Sequence, residues 1–234
     1  MFARTRIVDP EEVIARMRRM GDPAALKGMA RYGIETERSF GMSVPAIRSL
    51  ARELGKNHSL AQWLWKTGYR EARILAPMID ELMKVTEAQM ESWVADFDSW
   101  DGCDGCCGTL FDKSPLAYRK AVEWSKREEE FVKRAGYVMM AELAVHDKKA
   151  PDSQFTKFFG RIFAGSNDER NFVKKAVNWA LRQIGKRNLT LNKEALALAE
   201  RISKIDLSSA RWVASDAMRE LSSEKVRRKL RRSS

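Results

Sequence analysis

Apolar residues recur along this chain at intervals of three and four positions, which is the spacing of one face of an α-helix. Residues that favour helix starts precede these stretches, and the alternation typical of strands is hard to find. The sequence therefore predicts an all-α protein. The predicted helices include one after Asp9, then Val44–Leu54, Leu60–Lys66, Ala88–Phe97, Glu169–Ile184 and Ala210–Leu221, with Ser43, Ser59, Thr86, Ser166 and Ser208 or Ser209 in front of them.

Three similar phrases indicate a repeat of helix pairs. Ala135, Ala176 and Ala214 each lie in an apolar helical stretch and follow one another at about 40 residues, a period typical of HEAT-like repeats. Each pair in such an array covers the apolar face of its neighbours, so the pairs stack into a curved solenoid. We expect these alanines at tight helix contacts, with basic neighbours toward the concave groove: Lys133 or Arg134, Lys175 and Arg211.

No glycine-proline linker divides the chain, which predicts one domain over residues 1–223. Residues 224–234 follow as a basic tail with six Lys and Arg against one acid. This tail is either a solvated, partly frayed end or part of a surface that attracts polyanions.

Charge and composition narrow the class of protein. The 43 Lys and Arg against 32 Asp and Glu give a net charge of +11, and a basic surface attracts nucleic acid, the commonest polyanion of the cytoplasm. No apolar run reaches the roughly 18 residues of a membrane span, and Met1–Glu12 lacks the apolar core of a secretory signal. The cysteines are three and crowded together, which does not suit a disulfide framework. We expect a cytoplasmic protein, associated with the nucleoid when it binds DNA.

The segment Asn171–Asn188 combines an apolar stripe with a polar face that carries cations and a tryptophan. That face is predicted from i, i+3, i+4, i+7 and i+11 spacing and consists of Lys175, Asn178, Trp179, Arg182 and Lys186. Trp179 either packs under a neighbouring helix or offers an aromatic platform within a phosphate-binding face, as nucleic-acid-binding proteins do.

A second informative segment is Asp98–Phe111, where Trp100 and Asp104 are spaced to share one helical face. Asp98 and Asp101 are expected to cap this helix, since the helix dipole favours negative charge there. Asp104 lies too far into the helix for a cap. Its carboxylate either forms a structural ion pair, for example with Arg134, or serves electrostatic or acid–base catalysis.

The three cysteines, Cys103, Cys106 and Cys107, do not predict a metal site. A closed zinc site needs four ligands, no second C-x-x-C element exists, and His58 and His146 are scattered. Cys103 and Cys107 fit small buried side chains better. The chain also has no phosphate-binding P-loop, no dinucleotide motif and no nucleophile elbow, so we expect neither a metal nor a cofactor.

These segments together resemble the DNA alkylation repair enzyme family, the AlkD-like alkylpurine DNA glycosylases built from HEAT-like helix pairs. The resemblance runs from about residue 30 to residue 221. Its pieces are Phe40-Gly41 with Pro45, Ile47 and Arg48; Leu64-Trp65 with Glu71-Ala72-Arg73; Trp100-Asp101 with Cys103-Asp104; Lys133-Arg134-Ala135; and Asn171–Asn188. The resemblance implies a single right-handed α-solenoid whose concave basic groove holds duplex DNA.

The resemblance also implies site residues and a reaction. Trp100 and Asp104 match the family's paired tryptophan and aspartate. Arg134 matches its later arginine, and Trp179 matches its second tryptophan. Arg182 and Tyr32 match its DNA contacts. The implied reaction is hydrolysis of the N-glycosidic bond of N3- or N7-alkylated purines in duplex DNA. Such a base is already cationic and leaves readily, so Asp104 would stabilise the positive charge that develops on the deoxyribose.

Three functions remain open at this stage. The leading hypothesis is a monomeric DNA glycosylase for cationic alkylpurines, with Asp104, Trp100 and Trp179 as catalytic residues. Its expected DNA contacts are Arg134, Lys175, Arg182, Lys186, Tyr32 and Arg211. The alternative is a non-catalytic HEAT-like protein that binds damaged, bent or branched DNA. A scaffold for acidic protein partners is the third, since solenoid grooves also take peptides.

Overall fold

The computed structural model describes residues 9–32, 34 and 36–232. Residues 1–8, where the sequence was searched for a secretory signal, lie outside the described residues, as do residues 33 and 35 and the last two residues of the predicted tail. All regular structure in the described part is helical, which confirms the all-α class. None of its helices is long and apolar enough to cross a membrane.

The chain divides into two compact units, residues 1–110 and 111–234. The expected single domain over 1–223 stays a prediction. The helices of the first unit are α1 Pro10–Arg19, α2 Pro23–Ala30, α3 Val44–Leu54, α4 His58–Lys66, α5 Arg70–Ile79, α6 Glu87–Ala95 and α7 Trp100–Thr109. In this unit α5 packs against α3, α4 and α7.

The second unit repeats a helix-pair arrangement. Its helices are α8 Ala117–Trp124, α9 Glu130–His146, α10 Asp152–Thr156, α11 Phe159–Gly165, α12 Asn171–Gly185, α13 Leu189–Ile202, α14 Ser208–Leu221 and α15 Glu224–Arg232. The pairs are α8 with α9, α11 with α12, and α13 with α14, and α12 packs between α9 and α14. This stacking of helix pairs is what the repeat in the sequence predicts.

Several predicted helix starts are confirmed by hydrogen bonds. The side chains of Asp9, Ser43 and Thr86 accept a backbone N–H in the first turns of α1, α3 and α6. The prediction for Ser59 is wrong, because Asn57 caps α4 and accepts the N–H of Leu60 at 3.0 Å.

The start predicted for α12 is also displaced. The helix begins at Asn171 and not at Glu169. In the preceding loop the Asp168 carboxylate accepts hydrogen bonds from Arg170 of the same loop and from Lys133 of α9. Ser166 and Ser209 are buried, and the Ser209 hydroxyl donates to the Ser166 carbonyl at 2.9 Å. These serines therefore join the starts of two repeats rather than capping one helix each.

The repeat alanines lie at tight contacts within the second unit, as predicted. Ala135, Ala176 and Ala214 are fully buried, on the three helices that pack side by side. Gly136 beside Ala135 marks a still closer approach, since a Cβ there would stand 2.3 Å from the Ser125 nitrogen at the end of α8. Small side chains at these positions let the helix backbones come close.

Residues 224–232 are not a frayed end. They form α15, which packs on α14 and buries Val226 and Leu230. Its Lys and Arg side chains are exposed. The apolar side of a very basic helix is therefore what attaches this segment to the second unit.

The tight packing of α12 gives the first testable prediction. Ala176→Leu is expected to destabilise the protein by about 1–3 kcal/mol, because a larger side chain has no space between α9 and α14. Ala197→Leu on the exposed side of α13 is the matched control and should change stability by less than about 0.5 kcal/mol. Urea unfolding of the three proteins measures the difference. Equal stabilities for both variants would contradict the observed packing.

Candidate nucleic-acid interface

Helix α7 presents two of the predicted catalytic side chains. Cys103, Cys106 and Cys107 form its buried side, while Trp100 and Asp104 are half-buried one turn apart. Burial raises the pKa of the Cys106 and Cys107 thiols well above its ordinary value, so these cysteines stay neutral and pack as small apolar side chains. The predicted burial of Cys103 and Cys107 is confirmed.

Tyr32 and Trp100, both expected at the site, are in direct contact. The indole N–H of Trp100 donates to the Tyr32 carbonyl at 3.0 Å, which fixes the orientation of the indole ring. The side chain of Tyr32 is 71% exposed. The backbone of Tyr32 therefore holds Trp100, and its ring remains accessible.

The beginning of α7 is held by an arginine that the sequence interpretation overlooked. Arg70 donates to Asp101 at 2.7 Å and to Glu71 at 3.3 Å. Asp101 also accepts the N–H of Gly102, as a residue of the first turn is expected to do. The prediction that Asp98 caps the helix is wrong: Ser99 occupies the cap position, no side chain among the described residues accepts a cap hydrogen bond there, and Asp98 pairs with Arg73 at 3.2 Å. The acidic residues spaced through 96–101 and the two arginines of 70–73 were the sequence features that could have indicated these ion pairs.

Glu71 links this arginine to the preceding loop. Its side chain is fully buried and accepts hydrogen bonds from the Ser39 hydroxyl and from the backbone N–H groups of Phe40, Gly41 and Met42, at 2.7 to 3.2 Å. A buried carboxylate needs several donors because it has lost its water. Gly41 has φ 79°, and a Cβ there would stand 2.1 Å from the Asp22 carbonyl oxygen. The Phe40-Gly41 and Glu71 parts of the resemblance thus belong to one structural element.

Helix α12 carries the predicted cationic face in the second unit. Lys175 is exposed and Trp179 is half-buried, one turn apart on the helix. The expectation that Asn178 shares this polar face is wrong. Asn178 is fully buried and donates to the Val213 carbonyl of α14 at 3.1 Å, because this side of α12 faces α14.

The two cations at the carboxyl half of α12 already have anionic partners. Arg182 and Lys186 both pair with Glu220 of α14, Lys186 at 2.7 Å, and the Arg182 Nε lies 3.6 Å from Asp216. Burial opposes ionisation of Glu220, but hydrogen bonds from Lys186 and Arg182 outweigh it and lower the pKa of this carboxyl. Glu220 therefore stays charged near neutral pH and competes with any phosphate for both cations.

Arg134 and Arg211 occupy different environments. Arg134 is buried in α9 and donates to the Phe172 carbonyl of α12 at 2.6 Å, so it joins two neighbouring helices. Arg211 is exposed at the first turn of α14 and pairs with Asp206 at 2.5 Å. The ion pair considered between Arg134 and Asp104 would join the two units and stays a prediction.

Trp212 is an accessible aromatic side chain that the sequence interpretation did not assign. It is 40% exposed, and the Lys174 ammonium lies 5.8 Å from the centre of its ring. The preceding residue Arg211 and the repeat phrase were the signals that could have marked it. Among the described residues, no group of three or more His, Cys, Asp and Glu side chains is placed to hold a metal ion.

Comparison with solved structures shows the fold. The chain is similar to a structure described as "a new family of proteins related to the HEAT-like repeat DNA glycosylases with affinity for branched DNA structures". The TM-score is 0.76 and the identity 19%, over 91% of this chain and 95% of the other. An engineered protein aligns over 84% of this chain and 98% of its own length, with 13% identity and a TM-score of 0.39, too low to carry an argument.

Comparison with sequences identifies the family. A search of curated proteins gave no significant match. The family model described as "DNA alkylation repair enzyme" matches residues 13–221, which include all the helices from α3 to α14. With the helix pairs and the Trp100–Asp104 face in the same stretch, the chain belongs to the DNA alkylation repair enzyme family.

Proposed function

We propose that this protein is a DNA glycosylase that hydrolyses the N-glycosidic bond of cationic N3- and N7-alkylated purines in duplex DNA. Family membership supports the class of reaction. The observation that carries the proposal is the arrangement on α7, where the half-buried Asp104 lies one turn from a tryptophan held by the Tyr32 carbonyl. A carboxylate beside an aromatic ring suits a substrate that becomes cationic.

The proposed reaction needs only a negatively charged side chain and correct positioning of the nucleotide from the protein. When the C1′–N bond breaks, its electron pair goes to the purine and cancels the positive charge of the alkylated base. The base therefore leaves without a proton from a general acid. Positive charge grows instead on the deoxyribose, where the Asp104 carboxylate stabilises it. Water then adds to C1′ and gives up a proton, which Asp104 accepts.

DNA contacts are proposed for the second unit. Trp179 supplies an aromatic surface, and the cations Lys175, Arg182, Lys186 and Arg211 supply contacts to phosphates. Arg134, already bound to the Phe172 carbonyl, is proposed to contact a phosphate; the alternative partner is the Asp104 carboxylate. We place the protein as a monomer on chromosomal DNA in the cytoplasm, and the proposed reaction requires no cofactor.

A second candidate function is binding of branched or damaged DNA without catalysis. The similar solved structure comes from a family described by its affinity for branched DNA structures. Both candidates share the cationic surface of α12 and differ in the chemistry at Asp104. Release of free alkylated base from methylated duplex DNA separates them directly.

The α12 surface predicts how DNA affinity depends on salt. Affinity for duplex DNA should fall steeply as salt rises, because phosphate contacts release counterions. Lys175→Ala should weaken binding to all sequences and make the negative slope of log Kobs against log salt shallower by about 0.9, the value for one phosphate contact. Fluorescence anisotropy with a labelled duplex measures both quantities. An affinity that does not change with salt would contradict phosphate binding.

Glu220 supplies an internal control for the same surface. Glu220→Gln should raise DNA affinity, because it releases Arg182 and Lys186 from their shared carboxylate. Arg182→Ala combined with Glu220→Gln keeps the net charge of the wild type. If Arg182 contacts a phosphate, this double variant binds more weakly than Glu220→Gln alone. Equal affinities for those two proteins would assign Arg182 a purely structural role.

Asp104→Asn tests the proposed chemistry. The change removes the charge and keeps the shape, so excision of alkylpurine should fall by roughly 10²–10³-fold, the scale for loss of one well-placed electrostatic group. DNA affinity should hold or rise, because the variant has one negative charge fewer near the phosphates. Single-turnover assays with excess enzyme measure the excision rate. Excision at the wild-type rate by the folded variant would refute the assignment.

Two further measurements make the Asp104 test specific. Thermal unfolding of Asp104→Asn separates the two partners proposed for Arg134, since removal of an Asp104–Arg134 ion pair lowers the unfolding temperature. Trp179→Ala should reduce both DNA affinity and excision, because the indole is proposed to supply contact surface. A Trp179→Ala protein with wild-type affinity would exclude that role.

A further inference from the structure

Helix α15 carries a cationic surface outside the part of the chain that the family model matches. Val226 and Leu230 are buried, and the exposed residues of the helix are one glutamate and six cations, Lys225, Arg227, Arg228, Lys229, Arg231 and Arg232. The helix thus contributes a net charge of +5 from nine residues. Nothing in the proposed reaction uses it.

A groove beside α15 extends this surface to the carboxyl ends of α9 and α12. It has a volume of about 610 Å³, and its lining includes Lys148, Lys186, Arg187 and Lys229 against one carboxylate, Asp152. Asp152 accepts a hydrogen bond from Asn188 at 2.8 Å. Lys186 already pairs with Glu220, so the positive charge of the groove comes mainly from Lys148, Arg187 and Lys229.

Arg187 is the fixed part of the groove. It donates to the carbonyls of Ala144 and Ala150 at 2.8 and 3.2 Å, and its guanidinium lies 3.9 Å from the centre of the Phe155 ring. Burial, followed by the charges of Arg187 and Lys229, lowers the pKa of Lys148. Arg187 and Lys229 thus repel a charged Lys148, and a bound anion would relieve the repulsion.

We propose that α15 and this groove form a second phosphate-binding surface, which takes the sugar–phosphate backbone of DNA beyond the segment bound at α12. The choice of DNA as the polyanion rests on the proposed function. Lys186 lies both on the α12 face and in the groove, so the two surfaces are continuous. Rows of cations one helical turn apart suit the high linear charge of duplex DNA.

The structure favours nucleic acid over the other anionic partners of a basic helix. An interfacial membrane helix inserts its apolar side into lipid, and the apolar side chains of α15 are already buried in the protein. A protein interface centres on apolar and aromatic side chains, and the outward side of α15 has only charged ones. Its contacts are therefore independent of DNA sequence, because phosphates carry no sequence information.

The test compares two charge-matched double variants in the full chain. Arg228→Gln with Arg232→Gln removes two cations from α15, and Lys157→Gln with Lys204→Gln removes two exposed cations from the loops that follow α10 and α13. The salt dependence of affinity for a long duplex is measured by anisotropy. The α15 variant should make the negative slope of log Kobs against log salt shallower by about 0.9 for each phosphate that it no longer neutralises, and the control should leave the slope unchanged. Equal slopes for the two variants would overturn the proposal.

The measurement is made in the Asp104→Asn background, so its result does not depend on base excision. If the α15 variant keeps the wild-type slope while Lys175→Ala makes it shallower, the second surface is absent and DNA binding at α12 stands. If neither change makes the slope shallower, the proposed DNA binding at α12 fails as well.

Lys148→Gln distinguishes an anion site from a structural cap at the carboxyl end of α9. For the proposed site, the salt slope becomes shallower. The unfolding temperature stays the same or rises, because repulsion from Arg187 and Lys229 is removed. A lower unfolding temperature with an unchanged slope would show that Lys148 only stabilises the helix end. Vesicles of phosphatidylglycerol and phosphatidylcholine provide the membrane control. Vesicle binding that needs Arg228 and Arg232, with an unchanged DNA slope, would assign α15 to a lipid surface instead.

Discussion

Burial of one side of α12 between α9 and α14 is the constraint on which the second unit depends. Ala176 and its apolar neighbours on α12 are fully buried there, and Asn178 is bound to the Val213 carbonyl of α14. Once that side is fixed, the helix has no rotational freedom, and Lys175 and Trp179 have to lie on the side away from the buried stripe. The cationic surface is thus a consequence of helix packing and does not need a loop to form it.

The first unit achieves the same rigidity with a buried charge. Glu71 accepts three backbone N–H groups and a hydroxyl from the loop at residues 39–42, and Arg70 links it to Asp101 at the start of α7. Such a carboxylate stabilises only while its donors are in place, because an unpaired buried charge is very costly. The orientation of Trp100 and Asp104 on α7 therefore depends on a polar network and not on apolar packing alone.

Intramolecular ion pairs set how much of the positive charge is available to a ligand. Arg182 and Lys186 share Glu220, Lys133 pairs with Asp168, and Arg134 is bound to a backbone carbonyl. Lys175 and the cations of α15 are exposed to solvent. When a half-buried ion pair separates, each charge loses its partner. A phosphate therefore binds there only if it takes the place of the carboxylate beside the cation. Net charge alone, +11 for the chain, does not show this difference between sites.

The sequence by itself determined the local features of this protein. The helical spacing of apolar residues predicted an all-α chain, and capping residues predicted the helix starts at Asp9, Ser43 and Thr86. The repeated small residues predicted the buried alanines. Each of these features depends on residues within a few helical turns. The spacing of Trp100 and Asp104 placed them on one face of α7 for the same reason.

The tertiary structure decided which side chains meet across helices. Asn178 turned out to face α14, Asp98 met Arg73, Glu220 met Arg182, and the basic tail formed a helix attached through Val226 and Leu230. Each of these contacts joins residues whose proximity depends on how two helices are rotated and translated against each other. A helical period fixes the side of one helix that is buried, but not which residue of the neighbouring helix stands opposite.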